Sequence, residues 1–297
     1  MILISLFGGL GNQMFQYASA KALALRLNVE LKLDISHLVD RTPKEGLTFR
    51  DYELNHFCIG DQIATEKELR KYIPNLWHSP EYLKQLYKIK RFCSGLRLYR
   101  EDVFFEYNKA FDTLKDNTYL YGYFQTQDYF LSAEAEIRTC FQMKQPVDIL
   151  NQQLIEKING CNSVSVHIRR GDYEQSVFEL LNMESYYLPA LKLISNSVEN
   201  PRFYIFTNDL EWTKNAFSAL DYNISILSHN TNENSYKDMI LMSQCKHNIC
   251  ANSSFSWWGA WLNNAENKMV VAPKKWYASG RHAEIIRNLV PGNWIKL

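Results

Sequence analysis

Apolar positions in this 297-residue chain alternate between short strand-like runs and stretches at helical spacing. Residues 2–7, ILISLF, read as a short buried strand. GGLGNQ then makes a turn, and Met14, Ala18, Ala22 and Leu25 recur with the period of a helix. VELKLDI (29–35) is a second strand, so the chain opens as a βαβ unit and a parallel sheet is expected. The stretch 35–115 carries mixed signals. After it, TYLYGYF (118–124) predicts a strand and QDYFLSAEAEIRTCF (127–141) a helix.

A second series begins with SVSVHI (163–168), a strand. ESYYLPALKLISNSV (184–198) is mostly helix, with Pro189 demanding an early break or kink. RFYIFTND and ISIL are strands, SYKDMILMSQ a helix, HNICA a strand, SSFSWWGAWLNN a helix and KMVVAP a strand. The polar stretch around Pro146 is the natural linker. Two open-sheet α/β domains of Rossmann type, 1–145 and 146–297, facing a cleft, are therefore expected. Ligands of such sheets sit at the carboxyl ends of strands.

Composition narrows the class without naming a function. Apolar residues at 46% and charged residues at 22% describe an ordinary globular protein, and a net charge of +1 supplies no field to gather nucleic acid. Any anion site must be local. The cysteines at 58, 93, 140, 161, 245 and 250 form no CxxC pair, which fits reduced thiols better than zinc or a disulfide framework. The apolar N-terminus lacks a basic flank and a cleavage site, and no run of about 18 apolar residues could span a bilayer. A cytoplasmic protein with at most peripheral membrane contact is expected. The Lys84–Arg100 run is rich in Lys and Arg; a solvated face is its ordinary reading, and weak attraction to anionic lipid the sharper one.

Three motifs carry candidate chemistry. GGLGNQMF with Asp34 some way on resembles a dinucleotide fingerprint, but Met14 stands where a small residue must let helix and strand close. What remains is a tight turn at a helix N-terminus, with Asn12 either capping the helix or presenting its amide to a ligand. HIRRGDY brings two arginines to a strand end, on opposite faces, so one enters the ligand site and the other pairs or packs. A guanidinium fork matches phosphate in two-point fashion. NSSFSWWGAWL starts a helix at Asn252 or Ser253, whose free N–H groups and hydroxyls form an anion cradle. Helical spacing puts Phe255, Trp258 and Leu262 on one face, as core. Asn208 with Glu211, and Ser235 with Asp238, read as capping boxes. No Asp-x-Asp pair is present to hold a nucleotide's divalent metal, so arginine and helix N–H groups are the coherent alternative.

With GGLGNQMFQYASAKALA, HIRRGDY and DMILMSQCKHNICANSSFSWWGAWL in that order, the chain resembles the α-1,2-fucosyltransferases of glycosyltransferase family 11. The resemblance implies a GT-B fold, with an N-terminal domain on the acceptor side and a C-terminal domain binding GDP-β-L-fucose. It further implies inversion at the anomeric carbon, transfer to the 2-hydroxyl of a terminal β-galactoside, and no metal or other cofactor. It places Arg169 on the donor β-phosphate, His167 and Asp238 near the guanine, and Ser253, Ser254 and Phe255 around the diphosphate. Gly11 and Asn12 would face the sugar or acceptor, and Arg170 would pair structurally, with Asp172 a candidate partner. Asp172 is also the candidate base, Glu174 its runner-up, and a phosphate oxygen a third route. Without an anchor, the expected setting is bacterial surface-polysaccharide synthesis. The rival readings are an NAD-dependent Rossmann enzyme and a non-catalytic carbohydrate-binding protein.

Overall fold

The computed structural model describes residues 1–42, 49–72, 95–173, 178–278 and 288–297. The chain divides into two compact units, Met1–Lys144 and Gln145–Leu297. In the first, β1 (Ile2–Ser5) leads into α1 (Leu10–Leu27) and β2 (Leu31–Asp34). Next come α2 (Ser36–Val39), β3 (Gln62–Ile63), α3 (Glu66–Tyr72), β4 (Arg97–Arg100), β5 (Thr118–Tyr121) and α4 (Glu134–Cys140). The sheet order is β3-β2-β1-β5-β4, with every pairing parallel.

The second unit contains α5 (Ile149–Asn159), β6 (Asn162–Ile168), α6 (Leu188–Ser197), β7 (Pro201–Thr207), α7 (Leu210–Phe217) and β8 (Asn223–Leu227). It continues with α8 (Tyr236–Gln244), β9 (His247–Ile249), α9 (Ser254–Leu262), β10 (Val270–Ala272) and β11 (Ile295–Lys296). Its six strands, also all parallel, run β11-β10-β9-β6-β7-β8.

Both orders reverse at one point. β1 is flanked by β2 on one side and β5 on the other; β6 is flanked by β7 and β9. At such reversals the following connections leave in opposite directions and open a crevice beyond the carboxyl ends. The glycine-rich turn after β1 and the HIRRGDY segment after β6 both lie at these places.

Strand β6 shows how the sequence pays for a central position. Val164, Val166 and Ile168 are buried in a cluster with Tyr187, Leu191, Phe203 and Ile205. The alternate residues Ser163 and Ser165 are buried too. Ser165 Oγ accepts from Asn248 Nδ2 at 2.7 Å, and Ser163 Oγ accepts from the Lys246 N–H at 3.1 Å, so their burial leaves those oxygens partnered. Tyr187 donates to the His167 carbonyl at 3.2 Å, fixing the strand's end.

One expected element changes. The stretch 127–141 is not one helix: two 3-10 turns, Gln127–Tyr129 and Leu131–Ala133, precede α4. Buried Phe130 packs toward Phe15 of α1 with a non-helical backbone (φ −138°, ψ 2°), so tertiary packing breaks the local pattern. The unclear stretch 35–115 supplies two edge strands, β3 and β4, whose residues are largely exposed and so leave no buried run in the sequence. Of the basic run Lys84–Arg100, residues 84–94 lie outside the described residues; Arg97 and Arg100 lie on β4. At Pro189 the chain does break early: a π-type turn over Met183–Tyr187 precedes α6, which carries Pro189 in its first turn.

Helices α8 and α9 touch where α9 has a glycine. A Cβ built on Gly259 would lie 2.9 Å from Met242 Cβ, so this residue sets the approach of the two helices. Gly259→Ala is expected to cost about 1–3 kcal/mol by overpacking. Thermal unfolding should show a midpoint several degrees lower, whereas a midpoint equal to wild type would mean the helices have room to part.

Candidate nucleotide-sugar site

In the second unit the ends of β6, β7 and β9 converge. The parallel register Val166↔Ile249 and Ile168↔Thr207 carries Arg169 alongside Asn252 on one side and Asn208 on the other. Arg169 is half-buried, its guanidinium carbon 5.6 Å from the centroid of the Tyr173 ring. Tyr173 donates its hydroxyl to the Asn252 carbonyl at 3.1 Å. One tyrosine thus couples the arginine to the turn that starts α9. Tyr173 also stacks on Phe178 at 4.5 Å, and Phe178 on Tyr277 at 4.9 Å.

The second arginine is spent on structure. Arg170 lies over the Trp212 ring at 4.2 Å, with its Nε 3.7 Å from Asp209 Oδ2. Its backbone exchanges hydrogen bonds with Asn208: the N–H donates to Oδ1 at 2.8 Å, and Nδ2 donates to the carbonyl at 3.1 Å. Among the described side chains the partner of Arg170 is Asp209; the side chain of Asp172, the expected partner, lies outside the described residues. Asn208 is not the cap of a box with Glu211 either. Asp209 caps α7, its Oδ1 accepting from the Trp212 N–H at 3.1 Å, because Asn208 is taken by the strand next door.

At the head of α9, Ser253 is the N-cap, with Oγ accepting from the Phe255 N–H at 3.3 Å. Asn252 is not the cap. Its amide donates to the carbonyls of Glu179 and Trp276, and its Oδ1 is buried with no hydrogen-bond partner. Ser256 bonds the Ala251 and Ser253 carbonyls, which removes it from the cradle and leaves Ser253 and Ser254. Trp257, Trp258 and Trp261 are buried, as the core reading of this helix requires. Phe255 and Leu262 are half-buried, and Phe255 sits 5.7 Å from the His167 ring. Sequence spacing alone put Phe255 in the core; the structure sets it beside a site residue.

His167 is 5% exposed, and its Nδ1 has no hydrogen-bond partner. Burial, and then the neighbouring Arg169 charge, push its pKa down to about 3, so the ring is neutral at ordinary pH. A buried ring nitrogen left unsatisfied is rare and points to a ligand that completes it.

Asp238 lies in the first turn of α8. The expected box with Ser235 does not form, since Ser235 makes no side-chain cap. Asp238 Oδ1 instead accepts from Asn230 Nδ2 at 2.7 Å. Burial raises this carboxyl to about pH 7 against the opposing pull of that hydrogen bond. One helical turn on, Leu241 and Met242 join the apolar cluster against which Phe255 packs. His167, Arg169, Asp238, Ser253, Ser254 and Phe255 thus belong to one unit and to neighbouring strand and helix ends. Asp172 lies in the 3-10 turn Gly171–Tyr173, with only its backbone described, and Glu174 lies outside the described residues.

Gly11 and Asn12 belong to the first unit. Asn12 does not cap α1: Gly9 holds the N-cap position without a side chain, and Asn12 is the helix's third residue. Its Oδ1 accepts from Gln125 Nε2 at 2.9 Å, joining the turn after β1 to the segment after β5. Gly8 has φ +77°, and a Cβ there would meet Asn12 Nδ2 at 2.6 Å, so this turn needs glycine. Gln13 braces the same turn, donating to the Gly8 and Asp51 carbonyls. Phe7, Tyr121 and Tyr123 cluster beside it, with Phe7 5.2 Å from Tyr121 and 4.8 Å from Tyr123.

Asp34 is buried, one oxygen accepting from Ser36 and the other from the Tyr119 hydroxyl at 2.6 Å. It is committed inside the fold, which removes the acidic residue that a dinucleotide reading needs for a ribose. Sequence reasoning missed Tyr173, Asn230 and Asn151. Tyr173 was visible only as the aromatic after HIRRGD, and nothing in the sequence pairs the two asparagines, which stand far apart.

The profile of "Glycosyl transferase family 11" matches residues 1–297. The chain is 36% identical to the O-antigen biosynthesis glycosyltransferase WbnK of Escherichia coli, over 98% of this chain and 99% of that protein. It is 34% identical to an Escherichia coli α-1,2-colitosyltransferase, over 93% and 92%. A human galactoside α-(1,2)-fucosyltransferase 1 is 28% identical over 33% of this chain and 28% of its own. The crystal structure of the fucosyltransferase NodZ from Bradyrhizobium superposes with a TM-score of 0.50 at 13% identity, covering 87% of this chain and 91% of that one; the likeness is one of fold, the GT-B type. With a whole-chain profile match and near full-length relatives above 30% identity, the chain belongs to glycosyl transferase family 11 and is a glycosyltransferase.

Proposed function

We propose that this glycosyltransferase moves L-fucose from GDP-β-L-fucose to the 2-hydroxyl of a terminal β-galactoside, with inversion, during assembly of a bacterial surface polysaccharide. The observation that carries the reading is the convergence of Arg169 with the Ser253-capped start of α9 through Tyr173. That is a diphosphate site made of a guanidinium and helix N–H groups. The relatives' names support the linkage and the setting: α-(1,2) recurs among them, and WbnK is an O-antigen enzyme. No helix among the described residues is long and apolar enough to cross a membrane, which suits an enzyme with at most peripheral attachment. A second donor sugar is favoured by one relative. Colitose is L-fucose without its 3-hydroxyl, and the colitosyltransferase matches most of this chain.

Transfer breaks the bond between the sugar's anomeric carbon and the diphosphate through an oxocarbenium-like state. Negative charge grows on the leaving oxygen, and donors aimed there bind the transition state more tightly than the ground state. Arg169 and the α9 N–H groups would supply that stabilisation without a metal ion. Neutral His167 and the Asp238 carboxylate would meet the base, and Gly11 and Asn12 the sugar or acceptor. Asp172 remains the proposed base, and a phosphate oxygen the alternative to it. Unchanged kcat across pH in Asp172→Asn would remove Asp172 as the base and leave Glu174 and the phosphate oxygen.

Arg169→Lys keeps the charge and loses the fork. A charge-assisted hydrogen bond is worth about 1.5–3 kcal/mol. At about 1.4 kcal/mol per tenfold, kcat should fall roughly ten- to hundredfold. Steady-state assay with GDP-fucose reads this directly, and near-normal turnover would remove Arg169 from the leaving-group site. Chelator should leave turnover unchanged, whereas its abolition would require a divalent ion. Product analysis with GDP-fucose and GDP-colitose in parallel decides between the two sugars.

Because Asp238 titrates near pH 7 and must be ionised to accept from guanine, GDP affinity should strengthen as pH rises through about 7. The GDP phosphate titrates as well, so the test is the difference between wild type and Asp238→Asn. Calorimetry should find the added pH dependence in wild type alone. Equal pH profiles would free Asp238 from the base site.

A further inference from the structure

Unit 2 contains a closed pair of buried amides. Asn151 on α5 is 1% exposed, and Asn230, in the segment after β8, is 8% exposed. Asn151 Nδ2 donates to Asn230 Oδ1 at 3.0 Å, and Asn230 Nδ2 donates back to Asn151 Oδ1 at 2.9 Å. Each Nδ2 then has one hydrogen left, and both go to carboxylates. Asn151 donates to Asp148 Oδ2 at 2.8 Å, and Asn230 donates to Asp238 Oδ1 at 2.7 Å. His229 Nε2 lies 3.1 Å from Asn151 Oδ1, and Lys237 Nζ closes the outer end on Asp148 at 2.9 Å.

The inner polar atoms are therefore all satisfied, and the chain of bonds ends at Asp238. One oxygen of that carboxylate is held by Asn230; the other takes no hydrogen bond among the described residues. Apolar packing in place of such a network is often as stable, and the attested use of the network is to fix a geometry. What it holds here is one oxygen of the Asp238 carboxylate.

We propose that Asn230, locked by Asn151, is a positioning residue that orients Asp238 to select guanine among purine bases. The inference rests on the nucleotide-donor reading above. Guanine presents two adjacent donors, the ring N1–H and the exocyclic 2-amino group, and an oriented carboxylate has free lone pairs on both oxygens to accept them. Hypoxanthine lacks the 2-amino donor. Adenine offers an acceptor at N1, which faces the carboxylate's own lone pairs. A site built around a specific hydrogen bond rejects analogues lacking the donor far better than an apolar pocket does. If the amide pair served only to tie the β8 segment to α5, its loss would lower stability and leave base discrimination unchanged.

The experiment measures dissociation constants of full-length wild type, Asn230→Ala and Asn230→Asp for GDP, IDP, ADP and inorganic diphosphate, with circular dichroism confirming the fold. Asn230→Asp keeps the shape of the side chain and replaces the donating NH2 by a second acceptor, so it is the stricter variant. Wild type should prefer GDP over IDP by roughly tenfold or more, as one hydrogen bond to a charged group allows. In both variants that ratio should fall towards one, while affinity for inorganic diphosphate stays at the wild-type value. A folded variant of either kind that retains the wild-type GDP-to-IDP ratio overturns the proposal alone. Wild type that does not bind GDP overturns the donor reading, and this inference with it.

Discussion

One hydrogen bond and one ring tie the strand ends of the second unit together: the Arg169 guanidinium lies over the Tyr173 ring, and Tyr173 donates to the Asn252 carbonyl at 3.1 Å. β6 and β9 are neighbours, but their ends are free to splay once the ladder stops. Tyr173 joins the two beyond the ladder, so that a charge from one strand and a helix start from the other are held together. Asn252 extends the tie by donating to the carbonyls of Glu179 and Trp276, which lie on the far side of the turn. A phosphate-binding surface needs its positive groups in place before the ligand arrives, since ordering them afterwards would subtract from binding.

Around this tie the two arginines of HIRRGDY make different contacts. Both lie just past the end of β6, and Arg170 places its charge near Asp209 and its planar face on Trp212. That anchorage, with Asn208 on the Arg170 backbone, holds the peptide from which Arg169 projects. His167 contributes from one residue earlier. Its burial keeps it neutral beside a permanent cation, and its unpaired nitrogen is the clearest sign in the fold of a missing partner.

Much of this was legible in the sequence. The alternating strand and helix runs gave both open sheets, because hydrophobic periodicity reports burial directly. HIRRGDY and NSSFSWW showed which strand ends would gather charge and N–H groups. Less was legible wherever a polar residue had several possible partners. The capping boxes at Asn208 and Ser235 satisfied a local rule, yet Asn208 bonds a neighbouring strand and Asp238 bonds Asn230. Local capping competes with tertiary hydrogen bonds of similar strength, and sequence distance says nothing about the rival. The same competition took Asn12 out of its capping role and gave it to Gln125, more than a hundred positions away.

By itself, then, the amino-acid order determined the class of fold, the strand ends at which chemistry gathers, and the family to which the chain belongs. All three follow from contiguous patterns: period, turn and motif. Only the folded chain decided that Arg170 is held by Asp209 and Trp212, that Phe255 flanks His167, and that Asn151 and Asn230 form a closed pair behind Asp238. Those facts depend on which buried polar atoms meet across strands and helices distant in sequence. The free energy of a buried donor depends on its partner, and the partner is known only when the chain has closed on itself.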